Sequence, residues 1–223
     1  MIQRVYEQVQ RAVADVYVAT DDARIVDAVT AFGGNAIMTS VEHRSGTDRC
    51  YDAACKTGME YDIILNVQGD EPFIHASQIE TLKNCFQTPQ IQIATLVKPF
   101  KKEDGLEALF NSSSPKVVLN KKGEAVYFSR SVIPYIRDAH HEEWLQKHTF
   151  YKHIGIYGYR FQALAEITRL PQSPLEKAES LEQLRWIENG YTIGVGITDV
   201  ETIGIDTPQD MIKALEFMKH QNK

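Results

Sequence analysis

Apolar residues recur along the chain with two distinct periods, one helical and one extended. Between Ile2 and Val13 they stand three or four positions apart, which is the spacing of one helical face. Residues 16–20 form a short apolar run, as in a buried strand. Residues 21–34 begin with acids and end with glycines, which is typical of a helix. The pattern therefore predicts a helix first, followed by a strand and a second helix.

The same two periods continue through the rest of the chain and become less regular in its second half. Further strands are predicted at residues 35–39, 62–67, 91–99, 116–129 (two strands around a Lys-Gly turn), 153–160 and 191–198, and further helices at residues 47–59, 173–190 and 207–220. Strands that alternate with helices favour a parallel sheet covered by helices. We therefore predict an α/β fold with a mostly parallel, Rossmann-like sheet in one domain spanning residues 1–223.

Composition narrows the classes of function. Of the 223 residues, 43% are hydrophobic and 24% are charged, as in ordinary globular proteins. The 24 basic and 30 acidic residues give a formal charge of −6, which disfavours a nucleic-acid binder with a broad basic face. No apolar run approaches the roughly 20 residues that cross a bilayer, so we expect no membrane partner. The three cysteines show neither disulfide nor zinc-ligand spacing, which indicates free thiols in the cytoplasm.

Asp70 and Asp206 each stand where a predicted strand leads towards a helix. Asp70 lies in NVQGDEP, at the end of a strand where open parallel sheets place their ligands. Asp206 lies in IDTPQD, just before the Thr-Pro that begins the last helix. Each acid has a structural alternative, as a turn aspartate before proline or as a helix-start acid. We expect the two to meet at one edge of the sheet, where carboxylates would suit Mg²⁺.

The polar loop HRSGTDR, residues 43–49, surrounds Gly46 with hydroxyls and cations. Ser45 offers a hydroxyl to a base or a sugar, and Arg49 can hold a carboxylate or a phosphate with two parallel hydrogen bonds. The alternative is an ordinary polar loop in which Thr47 caps the following helix. The loop alone does not decide between these interpretations.

Candidate donors in the second half are Arg130 in YFSRSVIP and His153 and Tyr157 in HIGIYGYR. His153 and Tyr157 are four positions apart in a predicted strand, so both side chains face the same side. They could line the floor of a pocket. The alternative is a structural histidine beside a tyrosine of the core or of a dimer contact.

Glu182 and Gln183 lie on the helix predicted at residues 173–190. Glu182 follows Leu175 by seven positions and therefore lies close to it in angle around that helix. This places Glu182 and Gln183 where they could face a cleft. The alternative is a solvated Glu-Gln pair.

Six segments, taken in order, resemble the cytidylyltransferases that activate 3-deoxy-manno-octulosonate (KDO). They are HRSGTDR, LNVQGDEP, VYFSRSVIP, HIGIYGYR, SPLEKAESLEQLR and GIDTPQD. The resemblance covers nearly the whole chain, and SPLE…LEQLR with GIYGYR separates this family from the enzymes that activate sialic acid. It implies a nucleotidyltransferase sheet with an additional β region used for sugar binding and dimerisation.

The same resemblance implies that CTP and KDO give CMP-KDO and pyrophosphate for lipopolysaccharide biosynthesis, with Mg²⁺ as the cofactor. Asp70 and Asp206 are then the catalytic metal ligands, and Ser45 and Gly46 contact the cytosine. The residues that the resemblance assigns to the sugar site are Arg49, Gln68, Arg130, His153, Tyr157, Glu182 and Gln183. Because KDO carries a carboxylate and many hydroxyls, cations and polar side chains suit it. The resemblance further implies a homodimer.

Members of this family open with a strand and an arginine- and lysine-bearing loop before the helix that begins here at Met1. We therefore expect this chain to lack the main cationic contacts for the triphosphate, through a misassigned start or a real truncation. A catalytically impaired relative that acts only as a sugar-binding or dimerisation module is the alternative function. A cytidylyltransferase for sialic acid or another acid sugar is a third.

Overall fold

The computed structural model describes residues 1–200, 204, 205, 210 and 212. It divides into two compact units, residues 1–80 with the described residues from 200 onward, and residues 81–199. The single domain expected from the sequence stays a prediction. Asp210 and Ile212 are helical, and the rest of the helix predicted at residues 207–220 lies outside the described residues.

The first unit begins with a helix, as the apolar spacing predicts. Its elements are α1 (Ile2–Gln10), β1 (Val18–Thr20), α2 (Ala23–Ala31), β2 (Ala36–Met38), α3 (Gly46–Lys56) and β3 (Ile63–Asn66). A further helix, α4 (Ala76–Cys85), carries the chain into the second unit. Strands β1 and β2 pair in parallel with Val18 opposite Ala36, which is the strand–helix–strand unit that the alternation predicts.

Tyr6 anchors α1 to the rest of the first unit. Its side chain is buried, and its ring meets Phe32 edge-on with 5.5 Å between the centroids. The Tyr6 hydroxyl donates to the carbonyl of Val16 at 3.3 Å and accepts from the backbone N–H of Asn35 at 3.2 Å. The amphipathic face read from the sequence is thus the face that packs inward.

The second unit contains most of the sheet. Its elements are β4 (Ile93–Pro99), α5 (Gly105–Phe110), β5 (Lys116–Leu119), β6 (Ala125–Ser129), α6 (Trp144–Lys147), β7 (Tyr151–Arg160), α7 (Phe161–Ile167), α8 (Pro174–Glu179), α9 (Gln183–Glu188) and β8 (Ile193–Ile197). The strand order within the unit is β6-β5-β7-β4-β8. No helix among the described residues is long and apolar enough to span a membrane.

The sheet is mixed, and its antiparallel part is the additional β region expected from the sequence. Strand β4 pairs in parallel with β8 and antiparallel with β7, while β5 pairs antiparallel with both β6 and β7. The side chains of Ile93, Leu96 and Val97 on β4 are fully buried. The fold is therefore α/β with a central sheet and flanking helices, as predicted, but the prediction of a mostly parallel sheet is wrong for the second unit, because β7 and β5 pair antiparallel with their neighbours.

A two-residue bulge interrupts the pairing of β7 with β4. Thr95 lies opposite Tyr157, but the next residue of β4, Leu96, lies opposite Ile154. Gly155 and Ile156 are therefore extra residues on β7, without partners on β4. This irregularity places the side chains on either side of it closer together than a regular strand would.

The single helix predicted at residues 173–190 is wrong, because the chain forms α8 and α9 with a break between them. Ser173 caps α8 through its hydroxyl, as predicted, but Ser180 adopts a left-handed conformation at φ 50° and ends that helix. Glu182 precedes the first residue of α9. Its predicted angular relation to Leu175 on one helix therefore does not hold.

Candidate active site

Ser45 caps α3, and the helix begins at Gly46. The Ser45 hydroxyl oxygen accepts a hydrogen bond from the backbone N–H of Asp48 at 3.2 Å. The alternative in which Thr47 is the cap is therefore wrong, and Thr47 is buried with 3% of its surface exposed. The loop HRSGTDR leads directly into a helix N-terminus, an arrangement whose backbone N–H groups favour anionic or polar ligands.

Gly46 lies beside Gln68, which follows β3. A Cβ added at Gly46 would lie 3.0 Å from Gln68 Nε2 and 3.5 Å from Asn66 Nδ2. The Gln68 amide in turn donates to Asn66 Oδ1 at 3.4 Å. The structure therefore brings together a residue predicted for the cytosine and a residue predicted for the sugar.

Replacing Gly46 with alanine is expected to raise the KM for CTP by up to about tenfold, because the added methyl group displaces the Gln68 amide. The free energy of unfolding should change little, since alanine is a better helix former than glycine. Steady-state kinetics of G46A, Q68A and the double variant would measure this. If Gln68 transmits the effect, the two changes are not additive; additive effects would contradict this contact.

Arg49 makes contacts within the first unit that the sequence did not indicate. Its guanidinium group donates to Thr39 Oγ1 at 2.7 Å and pairs with Asp21 Oδ2 at 2.8 Å. These bonds tie α3 to the segments that follow β1 and β2. To bind the sugar carboxylate as predicted, the Arg49 guanidinium group must therefore either bind both carboxylates at once or release the carboxylate of Asp21.

Asp70 lies in the turn after β3, at the carboxyl end of that strand. Its side chain is half-buried, and its backbone carbonyl accepts a hydrogen bond from the N–H of Ile205 at 3.0 Å. Ile205 directly precedes Asp206 in the sequence, although Asp206 itself lies outside the described residues. The backbone contact supports the prediction that the two acidic segments meet.

The donor chemistry at Asp70 fits Mg²⁺. A half-buried carboxylate at a strand end offers the oxygen ligand that this ion prefers, and Mg²⁺ takes only one or two protein carboxylates besides water and phosphate oxygens. Within the described part of the chain, no group of three or more histidine, cysteine, aspartate or glutamate side chains could hold a metal ion. The two carboxylates that the sequence predicts, those of Asp70 and Asp206, are a ligand set of the size that Mg²⁺ takes when phosphates complete its shell.

His153 and Tyr157 lie side by side in the second unit. Their ring centroids are 5.4 Å apart, whereas residues four apart in a regular strand are separated by about 13 Å. The bulge in β7 accounts for the difference, because it makes four residues of β7 span only two of β4. The predicted shared face is therefore observed, at a closer distance than alternation alone implies.

Burial keeps both of these side chains uncharged. Desolvation lowers the pKa of His153 to about 3, and its ring packs edge-on with that of Phe128, with 5.1 Å between the ring centroids. Burial, followed by the neighbouring Tyr159 and Glu182, raises the pKa of Tyr157 well above its ordinary value. The pair can therefore exchange hydrogen bonds with a ligand at neutral pH without carrying charge.

We expect the His153 imidazole to remain unprotonated down to about pH 4. Its folded-state pKa of about 3 lies below the ordinary 6.5, so the unfolded chain binds the proton first as pH falls. This group therefore contributes nothing to the pH dependence of stability above pH 6.5 and destabilises the fold progressively below it. NMR titration of the His153 Cε1–H resonance, assigned by its loss in H153N, would measure this. A midpoint near 6 would contradict it.

Three buried polar atoms of the second unit have no partner among the described residues. They are the Tyr157 hydroxyl, Gln183 Nε2 and the indole Nε1 of Trp186. The Trp186 ring meets the Tyr157 ring edge-on at 5.1 Å. Buried polar groups are normally hydrogen-bonded, so this cluster is suited to a ligand with several hydroxyls. The alternative of a solvated pair is wrong for Gln183, which is only 4% exposed.

Arg130 holds the turn that leads into α9. Its guanidinium donates to the backbone carbonyls of Glu179, Ser112 and Ser180 at 2.6, 3.1 and 3.2 Å. The Glu179 carboxylate accepts in return from the Ser129 hydroxyl and from the Arg130 backbone N–H, at 2.6 and 2.9 Å. Arg130 therefore fixes the position of the turn before Glu182 and Gln183, and its remaining N–H groups are the ones that could meet a sugar carboxylate.

The predicted site residues thus form two groups. Ser45, Gly46, Arg49, Gln68 and Asp70 lie in the first unit, and Arg130, His153, Tyr157, Glu182 and Gln183 lie in the second. Sequence reasoning missed Glu179, Thr95 and Lys116. Lys116 is fully buried and donates to three backbone carbonyls, those of Asn111, Ser114 and Arg130, so an alternating strand pattern gives no sign of it.

Comparison with solved structures defines the class of this protein. The chain aligns with CMP:2-keto-3-deoxy-manno-octonic acid synthetase complexed with CTP, with a TM-score of 0.87 and 41% sequence identity, covering 99% of this chain and 88% of that one. Its mixed sheet and flanking helices are those of a nucleotidyltransferase, and the chain is an enzyme of that class. The family model described as cytidylyltransferase matches residues 1–197, so the chain belongs to the cytidylyltransferase family.

Curated relatives within the family are similar over nearly the whole chain. The 3-deoxy-manno-octulosonate cytidylyltransferase of Parabacteroides distasonis is 66% identical over 222 residues, covering 99% of this chain and 88% of the relative. The enzyme of the same name from Phocaeicola vulgatus is 63% identical over 221 residues, with the same coverage of both chains. The resemblance found in the six sequence segments is confirmed.

Proposed function

We propose that this chain transfers CMP from CTP to KDO, giving CMP-KDO and pyrophosphate for lipopolysaccharide biosynthesis. The relatives named for this reaction support the proposal through their identity of more than 60%. The observation in the structure that carries the proposal is that two buried donors, the Tyr157 hydroxyl and Gln183 Nε2, have no hydrogen-bond partner among the described residues. A ligand rich in hydroxyls would satisfy them, and an acid sugar is such a ligand.

The side chains of the second unit hold and orient the acid sugar. Tyr157 and Gln183 donate hydrogen bonds to sugar hydroxyls, and Glu182, which adds to the raised pKa of Tyr157, accepts one. The sugar carboxylate meets Arg130, whose guanidinium is already fixed by backbone carbonyls. Since the hydroxyl that attacks the α-phosphorus belongs to the sugar, this fixed orientation reduces the entropy cost of reaching the transition state.

The first unit holds the nucleotide and the metal. Ser45 and Gly46 at the start of α3 contact the cytosine, and Gln68, beside Gly46, and Arg49 of the same unit contact the sugar. Asp70 and Asp206 would bind Mg²⁺, which neutralises phosphate charge and lowers the pKa of a coordinated hydroxyl. Attack of the sugar hydroxyl on the α-phosphorus forms the new P–O bond, and the bond to the β-phosphate breaks to release pyrophosphate.

The protein would act as a homodimer in the cytoplasm. All three cysteines are free, as expected in a reducing compartment. Three apolar side chains on the second unit are exposed and could pack against a second copy of the chain. They are those of Phe110, Val126 and Tyr135, which are 45%, 50% and 70% exposed. Sedimentation equilibrium would measure the oligomeric state directly.

A pyrophosphate-release assay tests the proposed reaction. With CTP, we expect release with KDO and far less with N-acetylneuraminate, because buried polar groups reject sugars that leave them unpaired. Equal or greater release with N-acetylneuraminate would contradict the assignment of substrate. Absence of release with every acid sugar, together with KDO binding by calorimetry, would favour a binding module without transfer.

The variant Tyr157→Phe tests whether the Tyr157 hydroxyl contacts the sugar or only stabilises the fold. The Tyr157 hydroxyl has no hydrogen-bond partner in the part of the chain that the structure describes, so its removal should leave thermal stability unchanged or slightly improved. The KM for KDO should nevertheless rise by about tenfold, since one hydrogen bond to the sugar is lost. Tyr191→Phe is the control: its hydroxyl bonds Glu166 at 2.9 Å, and its removal should not alter the KM. An unchanged KM in Y157F would contradict the sugar contact.

A further inference from the structure

Thr95 is a buried residue of β4 that lies beside the bulge of β7. Its side chain is fully buried, and its hydroxyl oxygen is 3.0 Å from His153 Nε2. The same oxygen is 2.8 Å from the carbonyl of Ile156 and 3.2 Å from the carbonyl of Ile154. One hydroxyl thus contacts an imidazole and two backbone carbonyls.

The number of protons decides how these contacts are made. A threonine hydroxyl has one proton to donate and lone pairs with which to accept, whereas a carbonyl can only accept. The 2.8 Å distance to the Ile156 carbonyl is typical of O–H···O, and the 3.0 Å distance to His153 Nε2 is typical of N–H···O. The Thr95 proton therefore goes to the Ile156 carbonyl, and the Thr95 oxygen accepts from His153.

The opposite arrangement would leave a buried carbonyl without this donor. Ile156 is one of the two residues of the bulge that have no partner on β4. If Thr95 donated to His153 instead, the carbonyl of Ile156 would lose its proton. Removing the donor from a buried carbonyl is unfavourable, which opposes that arrangement.

We propose that Thr95 is a positioning residue that holds the His153 imidazole in the tautomer protonated at Nε2, so that Nδ1 accepts a hydrogen bond from a hydroxyl of the acid sugar. The contact with the sugar rests on the proposed function, whereas the choice of tautomer rests on the hydrogen bonds of Thr95 alone. Thr95 touches no substrate. It acts through the imidazole, in the way that an outer partner fixes the ring of a histidine ligand.

The imidazole is also restrained on its faces. Phe128 meets it edge-on at 5.1 Å, and Tyr157 lies against it at 5.4 Å. With the ring held and Nε2 directed at Thr95, only Nδ1 can change partner. The direction of the hydrogen bond to the sugar is therefore fixed before the sugar binds, and the site should distinguish a hydroxyl, which can donate, from a ring or ether oxygen, which cannot.

Histidine ¹⁵N NMR tests the tautomer, and kinetics tests its consequence. The variants are Thr95→Val, which keeps the shape and removes the hydroxyl, and Thr95→Ser, which keeps the hydroxyl. In the unmodified chain and in T95S we expect His153 to be protonated at Nε2, with Nδ1 unprotonated. In T95V we expect this preference to be lost and the KM for KDO to rise by about tenfold, with the KM for CTP unchanged.

Each outcome decides the proposal. An unmodified chain protonated at Nδ1 would overturn it without any variant, so a T95V chain that fails to fold does not block the test. A T95V chain with the same tautomer and the same KM for KDO would also overturn it. If the chain catalyses no transfer to KDO, the proposed function fails and the role of Nδ1 towards the sugar fails with it, while the NMR result still decides the tautomer.

Discussion

Asp70→Asn is expected to lower kcat by on the order of 10²–10³-fold, because the amide keeps the shape of the carboxylate but loses the charge that holds the metal at the phosphates. The concentration of Mg²⁺ that gives half-maximal activity should rise at the same time. The turn should survive, since the backbone carbonyl of Asp70 still accepts from Ile205. Initial rates of pyrophosphate release across a Mg²⁺ titration would measure both effects.

Asp62→Asn is the matched control for this experiment. Asp62 is exposed and lies at the opposite end of β3 from Asp70, so the same loss of charge occurs away from the predicted metal. Its kcat and Mg²⁺ dependence should equal those of the unmodified chain. A kcat of D70N within about threefold of the unmodified value would show that Asp70 is not a metal ligand. Loss of one electrostatic contact to the transition state lowers kcat by much more than that.

Arg185→Leu is expected to destabilise the protein by about 3–5 kcal/mol, since it leaves the Glu176 carboxylate buried without its charged partner. The two side chains are 10% and 7% exposed, and Arg185 Nε and Nη2 contact the two carboxylate oxygens at 2.8 and 2.5 Å. For a domain of this size the melting temperature should fall by about 10 °C. Calorimetry would measure this change. Lys147→Ala is the control, because it removes an exposed partner of Glu143 at 3.4 Å, and it should lower the free energy of unfolding by less than about 1 kcal/mol.

The pH dependence of this pair follows from Glu176. Desolvation, the largest single effect, raises the pKa of its carboxyl group, but the hydrogen bonds from Arg185 and from the Ser173 backbone and the charge of Arg185 together outweigh it, and the net direction is downward from 4.5. A carboxylate with a lowered folded-state pKa stabilises the fold above its ordinary pKa and loses this contribution as pH falls through the folded-state value. The difference between R185L and the unmodified chain should therefore shrink below pH 4.5. A constant difference down to pH 3 would contradict the ion pair as its cause.

Local patterns were sufficient for the order of the strands and for several helix ends, but helices α4 to α7 were not predicted. Asp22 caps α2 through its side chain, and Gly33 follows that helix with φ +78°, as the acids and glycines indicated. Helix α4 could also have been found, because Ile79, Leu82 and Phe86 are buried and have helical spacing. These features depend on neighbours within one or two turns, which a sequence window contains.

Features that depend on partners distant in the sequence could not be predicted. The break at Ser180 coincides with hydrogen bonds from Arg130 to the carbonyls of Glu179 and Ser180, which come from a strand about 50 positions earlier. The closeness of His153 and Tyr157 depends on the pairing register of β7 with β4. Alternation correctly put the two side chains on one face, but only the register sets how far apart they are.

The excess of two residues in β7 has a consequence for the history of the family. Lengthening a regular strand by two residues brings two side chains together and, in the same event, adds two residues that have no partner on β4. A side chain with a proton to donate, such as Thr95, gives the carbonyl of one of them a hydrogen bond. We therefore expect inheritance of the longer strand and of a donor at the Thr95 position to be linked, so that descendants that shorten the strand become free to place an apolar residue there.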